Sequence, residues 1–156
     1  MGLDMYLKAN VYIGGKYEHR KVTGSIEIAI DSVPLGLKLE QIDSISIEMG
    51  YWRKANAIHH WFVSEVQDGV DECNSTHCRL EQLTTLKSIC ESVLSKETSP
   101  EEELPTSSGF FFGSTDYGEY YYEDLRETVN IINSCIELER SLPGEAYVDF
   151  AYQSSW

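Results

Sequence analysis

Apolar positions alternate with polar ones in the first fifty residues and then recur at three and four. Residues 3–13 are rich in β-branched and aromatic side chains and run into Gly14-Gly15, which predicts a strand and a turn. Ile26, Ile28 and Ile30 alternate with Ser25, Glu27 and Ala29, and Ile45, Ile47 and Met49 with Ser44, Ser46 and Glu48. Each pattern predicts a half-buried strand, with a loop at Pro34-Leu35-Gly36 between them. At Gly50 the period changes. Trp52, Ala55, Ile58, Phe62 and Val66 form a helical stripe that ends at Asp68-Gly69.

The short polar stretch 70–78 predicts a loop, and Leu83, Leu86, Cys90 and Val93 place a second helix over residues 80–94. Ser99-Pro100-Glu101-Glu102 has the form of a helix start, a Ser cap with Pro at the first position, and Leu104-Pro105 cuts it short. Residues 106–118 are rich in Gly, Ser and Phe and predict a loop or strand–turn segment, with Phe110 to Phe112 as a candidate buried strand. Leu125, Val129, Ile132 and Ile136 mark a third helix over 121–141, stopped by Pro143-Gly144. Val148, Phe150 and Tyr152 alternate in a last strand. Strands followed by helices and a final strand argue α+β. The expectation is one domain over 1–156, with a small antiparallel sheet of N-terminal strands plus a C-terminal strand, packed by about three helices.

Composition narrows the classes of function. The 156 residues include 26 acidic and 12 basic ones, a net charge of −14, which opposes long-range attraction to nucleic acid or to an anionic membrane. Ten Tyr, five Phe and three Trp are enough to build a core. The N-terminal residues have no signal-peptide-like apolar run, and Tyr6 stands where myristoylation requires Ser or Thr, so the expectation is a cytoplasmic protein. In that compartment Cys73, Cys78, Cys90 and Cys135 are most simply free thiols. Cys73-x4-Cys78 around His77 lacks the second ligand pair of a zinc site, and no cofactor is expected.

Candidate chemistry concentrates in two segments. Residues 50–62 carry Trp52, Arg53, Lys54, Asn56, His59 and Trp61. On a helix Asn56 and His59 would share one edge of the apolar stripe, and the cations of the first turn would oppose the helix dipole unless an anion binds there. The alternatives are solvated cations at Arg53 and Lys54 and a core-edge histidine at His59 bonded to a backbone carbonyl; His60 points away. The second segment flanks the Phe triplet with Ser108, Gly109, Gly113, Ser114 and Thr115, where Gly backbone and hydroxyl donors could receive a phosphate or carboxylate. It matches neither a Walker loop nor GxGxxG. Asp116, Glu119, Glu123 and Asp124 gather around Tyr117 and Tyr120 to Tyr122, as a solvated helix face or as an imitation of a phosphate backbone.

The stretches Gly2-Leu3-Asp4-Met5-Tyr6-Leu7, Gly50-Tyr51-Trp52-Arg53-Lys54-Ala55-Asn56-Ala57-Ile58-His59, Leu104-Pro105-Thr106 and Ser108-Gly109-Phe110-Phe111-Phe112-Gly113-Ser114-Thr115 resemble a family of small uncharacterised bacteriophage and prophage proteins. So does the ending Tyr152-Gln153-Ser154-Ser155-Trp156. The resemblance spans the chain and implies a phage setting, with no activity or catalytic residue to carry over.

The leading expectation is a non-catalytic accessory protein that binds a small anionic ligand, a nucleotide above all, as a counter-defence sponge. A Trp would stack a base, Arg53 and Lys54 would face phosphates, and Asn56 and His59 would bond polar edges. A second expectation is an acidic nucleic-acid mimic that occupies a host protein. A third is a nucleotide hydrolase using His59 with Asp71 or Asp116. A homo-oligomer sharing a pocket between protomers also fits so small a chain.

Overall fold

The computed structural model describes residues 2–14, 23–143 and 146–156. The turn glycine at 15 and the helix-stopping glycine at 144 lie outside them.

Strand β1 (Asp4–Tyr12) alternates cleanly, with Met5, Leu7, Ala9 and Val11 turned into the core. It is paired on both sides, antiparallel to β4 (Ser44–Arg53) and to β6 (Tyr147–Ser155). A three-residue strand, β5 (Thr76–Cys78), adds to the far side of β6, giving the order β4-β1-β6-β5. Helices α1 (Asn56–Glu65), α2 (Leu80–Leu94) and α4 (Glu119–Ser141), with the single turn α3 (Pro100–Glu103), complete the core. The α+β reading therefore holds: the described residues form a four-stranded antiparallel sheet, a separate two-stranded one and three helices longer than a turn.

The stripe of α2 is as expected, with Leu83, Leu86, Cys90 and Val93 all buried. Helix α4 begins two residues earlier than its stripe suggested. It buries Leu125 and Ile132 together with Tyr121, Thr128, Ile131 and Cys135. Ser99 and Pro100 open α3, which closes at Leu104.

Four expectations fail. Within the stretch 70–78 expected as a loop, Thr76–Cys78 is the edge strand β5. Ser25 to Ile30 does not join the main sheet. Ala29–Ile30 (β2) pairs only with Val33–Pro34 (β3), and both Ile28 and Ile30 are exposed. Phe110 to Phe112 is no buried strand, since Phe110 is 96% exposed and the segment is a turn. Most instructive is Gly50, which does not end the strand. The register of β4 against β1 slips between Leu7 and Lys8, so that Met49 is an extra residue in a bulge. The slip reverses the parity of the strand. Ile45, Ile47 and Met49 face inward before it, and Gly50 and Trp52 face inward after it. Trp52 and Arg53 therefore pair with Met5 and Asp4 as strand residues, and α1 starts only at Asn56.

The joint between β4 and α1 is tight. Lys54 has a left-handed backbone (φ +63°), its N–H donates to the Leu3 carbonyl (2.8 Å), and its own carbonyl accepts from Asn56 N–H (2.9 Å). Leu3 N–H in turn donates to the Phe111 carbonyl (3.2 Å), so the first strand holds both candidate segments.

Candidate functional site

The segments 50–62 and 106–116 meet through Asn56. Its side chain is buried. Nδ2 donates to the carbonyls of Phe112 (3.0 Å) and Ser114 (2.8 Å), and Oδ1 accepts from Ser107 N–H (3.0 Å). Asn56 thus spends three of its bonds holding the loop on α1. The loop fits closely. Gly113 has φ +86°, and a Cβ added there would lie 3.0 Å from the Cβ of Lys54, so glycine suits this position on both counts.

Between the β4–α1 joint, this loop and α4 lies a cavity of about 260 Å³. Of the residues expected at a site, Arg53, Lys54, Asn56, Gly113 and Ser114 line it. Tyr120, Tyr121, Asp124 and Leu125 of α4 supply another wall, and Thr106, Asp116, Ala57 and Ile58 complete it.

Trp52, His59, Trp61, Ser108, Gly109 and Thr115 do not line this cavity. Trp52 is 3% exposed, and its Nε1 donates to Thr128 Oγ1 (2.9 Å), which itself donates to the Asp124 carbonyl (2.7 Å). Trp61 is 8% exposed and packs edge-on to Phe62. Neither indole presents a face on which a base could stack. Thr115 contributes only its carbonyl, which accepts from Thr106 Oγ1 (3.0 Å).

His59 is 1% exposed and belongs to a separate network. Its Nδ1 lies 2.7 Å from Tyr152 Oη and its Nε2 2.9 Å from Asp71 Oδ2. With Asp71 accepting from Nε2–H, Nδ1 is left to accept from the tyrosine hydroxyl, which fixes the tautomer. The expected backbone carbonyl partner is replaced by two side chains. Asp71 also accepts from Trp156 Nε1 (3.2 Å), and the Tyr152 ring stacks on Phe62 at 3.9 Å. Burial, with Asp71 nearby, pushes the Tyr152 phenol well above its ordinary range.

The electrostatics of the cavity are mixed. Arg53 Nε stands 3.9 Å from Asp4 Oδ1, and Lys54 makes no ion pair among the described residues. Helix α1 opens without a cap. Its N-cap is Ala55, which offers no side-chain acceptor, and its first turn holds no acidic residue. Among the described residues no acceptor is found for the N–H groups of Ala57 and Ile58. Across the cavity, burial and the neighbouring Glu123 raise the Asp124 carboxyl to about 6. The sequence places Asp124 only in an acidic, Tyr-rich cluster read as a solvated face or a phosphate mimic, because helical spacing does not show which remote segment that face meets.

The thiols of Cys78, Cys90 and Cys135 are buried, and burial pushes each up to about 12, which leaves them poor nucleophiles. Among the described residues no three His, Cys, Asp or Glu side chains converge as a metal site would require. No family model matches the chain, and no curated protein or solved structure is similar to it at a significant level.

Proposed function

We propose that the protein binds a small anionic ligand, of the nucleotide class, at the start of α1 and does not transform it. One observation carries this reading. The helix begins at an uncapped alanine, with Arg53 and Lys54 beside it, and its first turn lines the cavity. An Ala cap forgoes about 1 kcal/mol that Ser or Asp would supply. An anion seated there would accept from the free N–H groups and meet the positive end of the helix dipole. The surrounding net charge of −14 does not prevent this, because solvent and salt screen distant charges while the donors are in contact.

Binding is favoured over catalysis by the state of His59. Its pairing with Asp71 is the one a hydrolase would use, yet both ring nitrogens are engaged and the ring is sealed from solvent. In the phage setting implied by the resemblance, such a protein would withhold a nucleotide from the host.

Calorimetric titration with inorganic phosphate and with nucleoside monophosphates tests the reading. The expected result is saturable binding, weakened about tenfold or more in Arg53→Gln, which is the loss of about 1.4 kcal/mol. Ligand at 100 times its Kd should also stabilise the fold by about 2.7 kcal/mol. No binding of either probe at millimolar concentration, or equal binding by Arg53→Gln, would overturn it.

A further inference from the structure

The anion site shares its cavity with two carboxylates, the wrong charge for an anionic ligand: Asp116, which is exposed and accepts from Ser114 Oγ (2.9 Å), and Asp124. Among the described residues the Asp124 side chain accepts no hydrogen bond and makes no ion pair; the Thr128 hydroxyl bonds the backbone carbonyl of Asp124, not its carboxylate. The carboxylate is half-buried, and no protein donor meets it, so its oxygens are open to donors from a ligand. The exposed alternative is ordinary on this surface, where Glu119, Glu123 and Glu127 all face solvent. Asp124 instead faces the cavity beside Tyr120 and opposite Arg53 and Lys54.

A ligand that satisfies both sides must be anionic at one end and offer N–H donors at the other. Two flanking residues indicate the shape of the donor end. Tyr120 lines the cavity while being 84% exposed, which leaves its ring free to cover a flat group. Leu125 gives the same wall an apolar surface. An ammonium group would satisfy Asp124 but gain nothing from a ring and an aliphatic wall beyond a weak cation–π contact. A planar base gains from both.

Resting on the anion-binding reading above, we propose that the ligand is a guanine nucleotide. Its N1–H and N2–H donors pair with the Asp124 carboxylate, its base lies against Tyr120, and its phosphate meets Arg53, Lys54 and the first turn of α1. Guanine is the nucleobase that presents two adjacent N–H donors to a carboxylate in one plane, and such two-point pairing is worth more than a single bond. Adenine presents an acceptor beside its amino group, and hypoxanthine keeps N1–H but lacks the amino group. At pH 7.5 Asp124 is ionised, since its carboxyl titrates at about 6, so it is ready to accept.

The test compares GMP, IMP, AMP and inorganic phosphate as ligands of the full chain by calorimetry at pH 7.5. GMP is expected to bind at least tenfold more tightly than IMP or AMP. In Asp124→Asn, checked for native folding by circular dichroism, that preference should fall to within about twofold, because the amide presents only one acceptor. Phosphate and all three nucleotides binding with nearly equal affinity would overturn the guanine assignment and leave the anion site standing. Failure of every probe, phosphate included, would remove both. Retention of the full GMP preference by Asp124→Asn would also overturn the assignment.

Discussion

Asn56 Nδ2 donates to the Ser114 carbonyl across 2.8 Å, and through this and two companion bonds one buried carboxamide holds the loop against α1. The consequence is a specific fragility. Asn56→Ala strands two carbonyls and the Ser107 N–H, and it should cost on the order of 2 kcal/mol in urea unfolding. Asn56→Asp should cost at least as much near neutral pH, since a carboxylate can accept from Ser107 but cannot donate to Phe112 or Ser114. Amide exchange in residues 106–115 should accelerate in both variants. Wild-type exchange there would show that the loop does not depend on Asn56.

Gly50 lies beneath Ile131. A Cβ placed at Gly50 would come within 2.6 Å of both Cδ1 and Cγ2 of that side chain. Gly50→Ala is therefore expected to lose about 1–3 kcal/mol through overpacking. Ile131→Val trims one of the clashing atoms, and the double variant should be less destabilised than the sum of the singles. Strict additivity in a double-mutant cycle would show that the two positions do not press on each other.

Tyr152→Phe keeps the ring stacked on Phe62 and removes the hydroxyl bonded to His59 Nδ1. Loss of about 1–2 kcal/mol is expected, the cost of a buried nitrogen left without its donor. His59→Ala should cost more, because it also opens a cavity and strands the Tyr152 hydroxyl. Chemical denaturation of both variants decides the order.

Asp124 makes stability depend on pH in a defined direction. Its carboxyl titrates at about 6 in the folded protein and at about 3.9 in an unfolded chain. The folded state thus holds the proton more tightly. The stability this contributes is fully present below about pH 4 and is lost as the pH rises through about 6. Asp124→Asn has no carboxyl to ionise, so it should gain on the wild type across that window, by about 2 kcal/mol at pH 7.5 relative to pH 4. A difference between the two proteins that does not change with pH would contradict the direction of the shift.

The elements were legible in the sequence wherever a single face is buried throughout. Leu83, Leu86, Cys90 and Val93 gave α2 its bounds, and the alternation of Val148, Phe150 and Tyr152 marked β6. The start of α1 was not legible. The bulge at Met49 shifts the strand's parity, and Trp52 then falls three residues before Ala55, which copies a helical interval across a strand–helix joint. The site was half legible. Arg53, Lys54, Asn56, Gly113 and Ser114 were found from local chemistry, whereas Asp124 and Tyr120, noticed only as part of an acidic cluster, join this cavity because α4 packs across from it. A contact between remote segments leaves no trace in the spacing of either.

Leu3 ties the beginning of the chain to both walls of the cavity, accepting from Lys54 and donating to Phe111. These partners are far apart in the chain, so the pocket closes only after long-range pairing is complete, later than any helix that borders it. A molecule bound there would consequently oppose unfolding of the protein as a whole. Its occupancy should register as resistance to proteolysis at cleavage points distant from the pocket as well as in the adjoining loop.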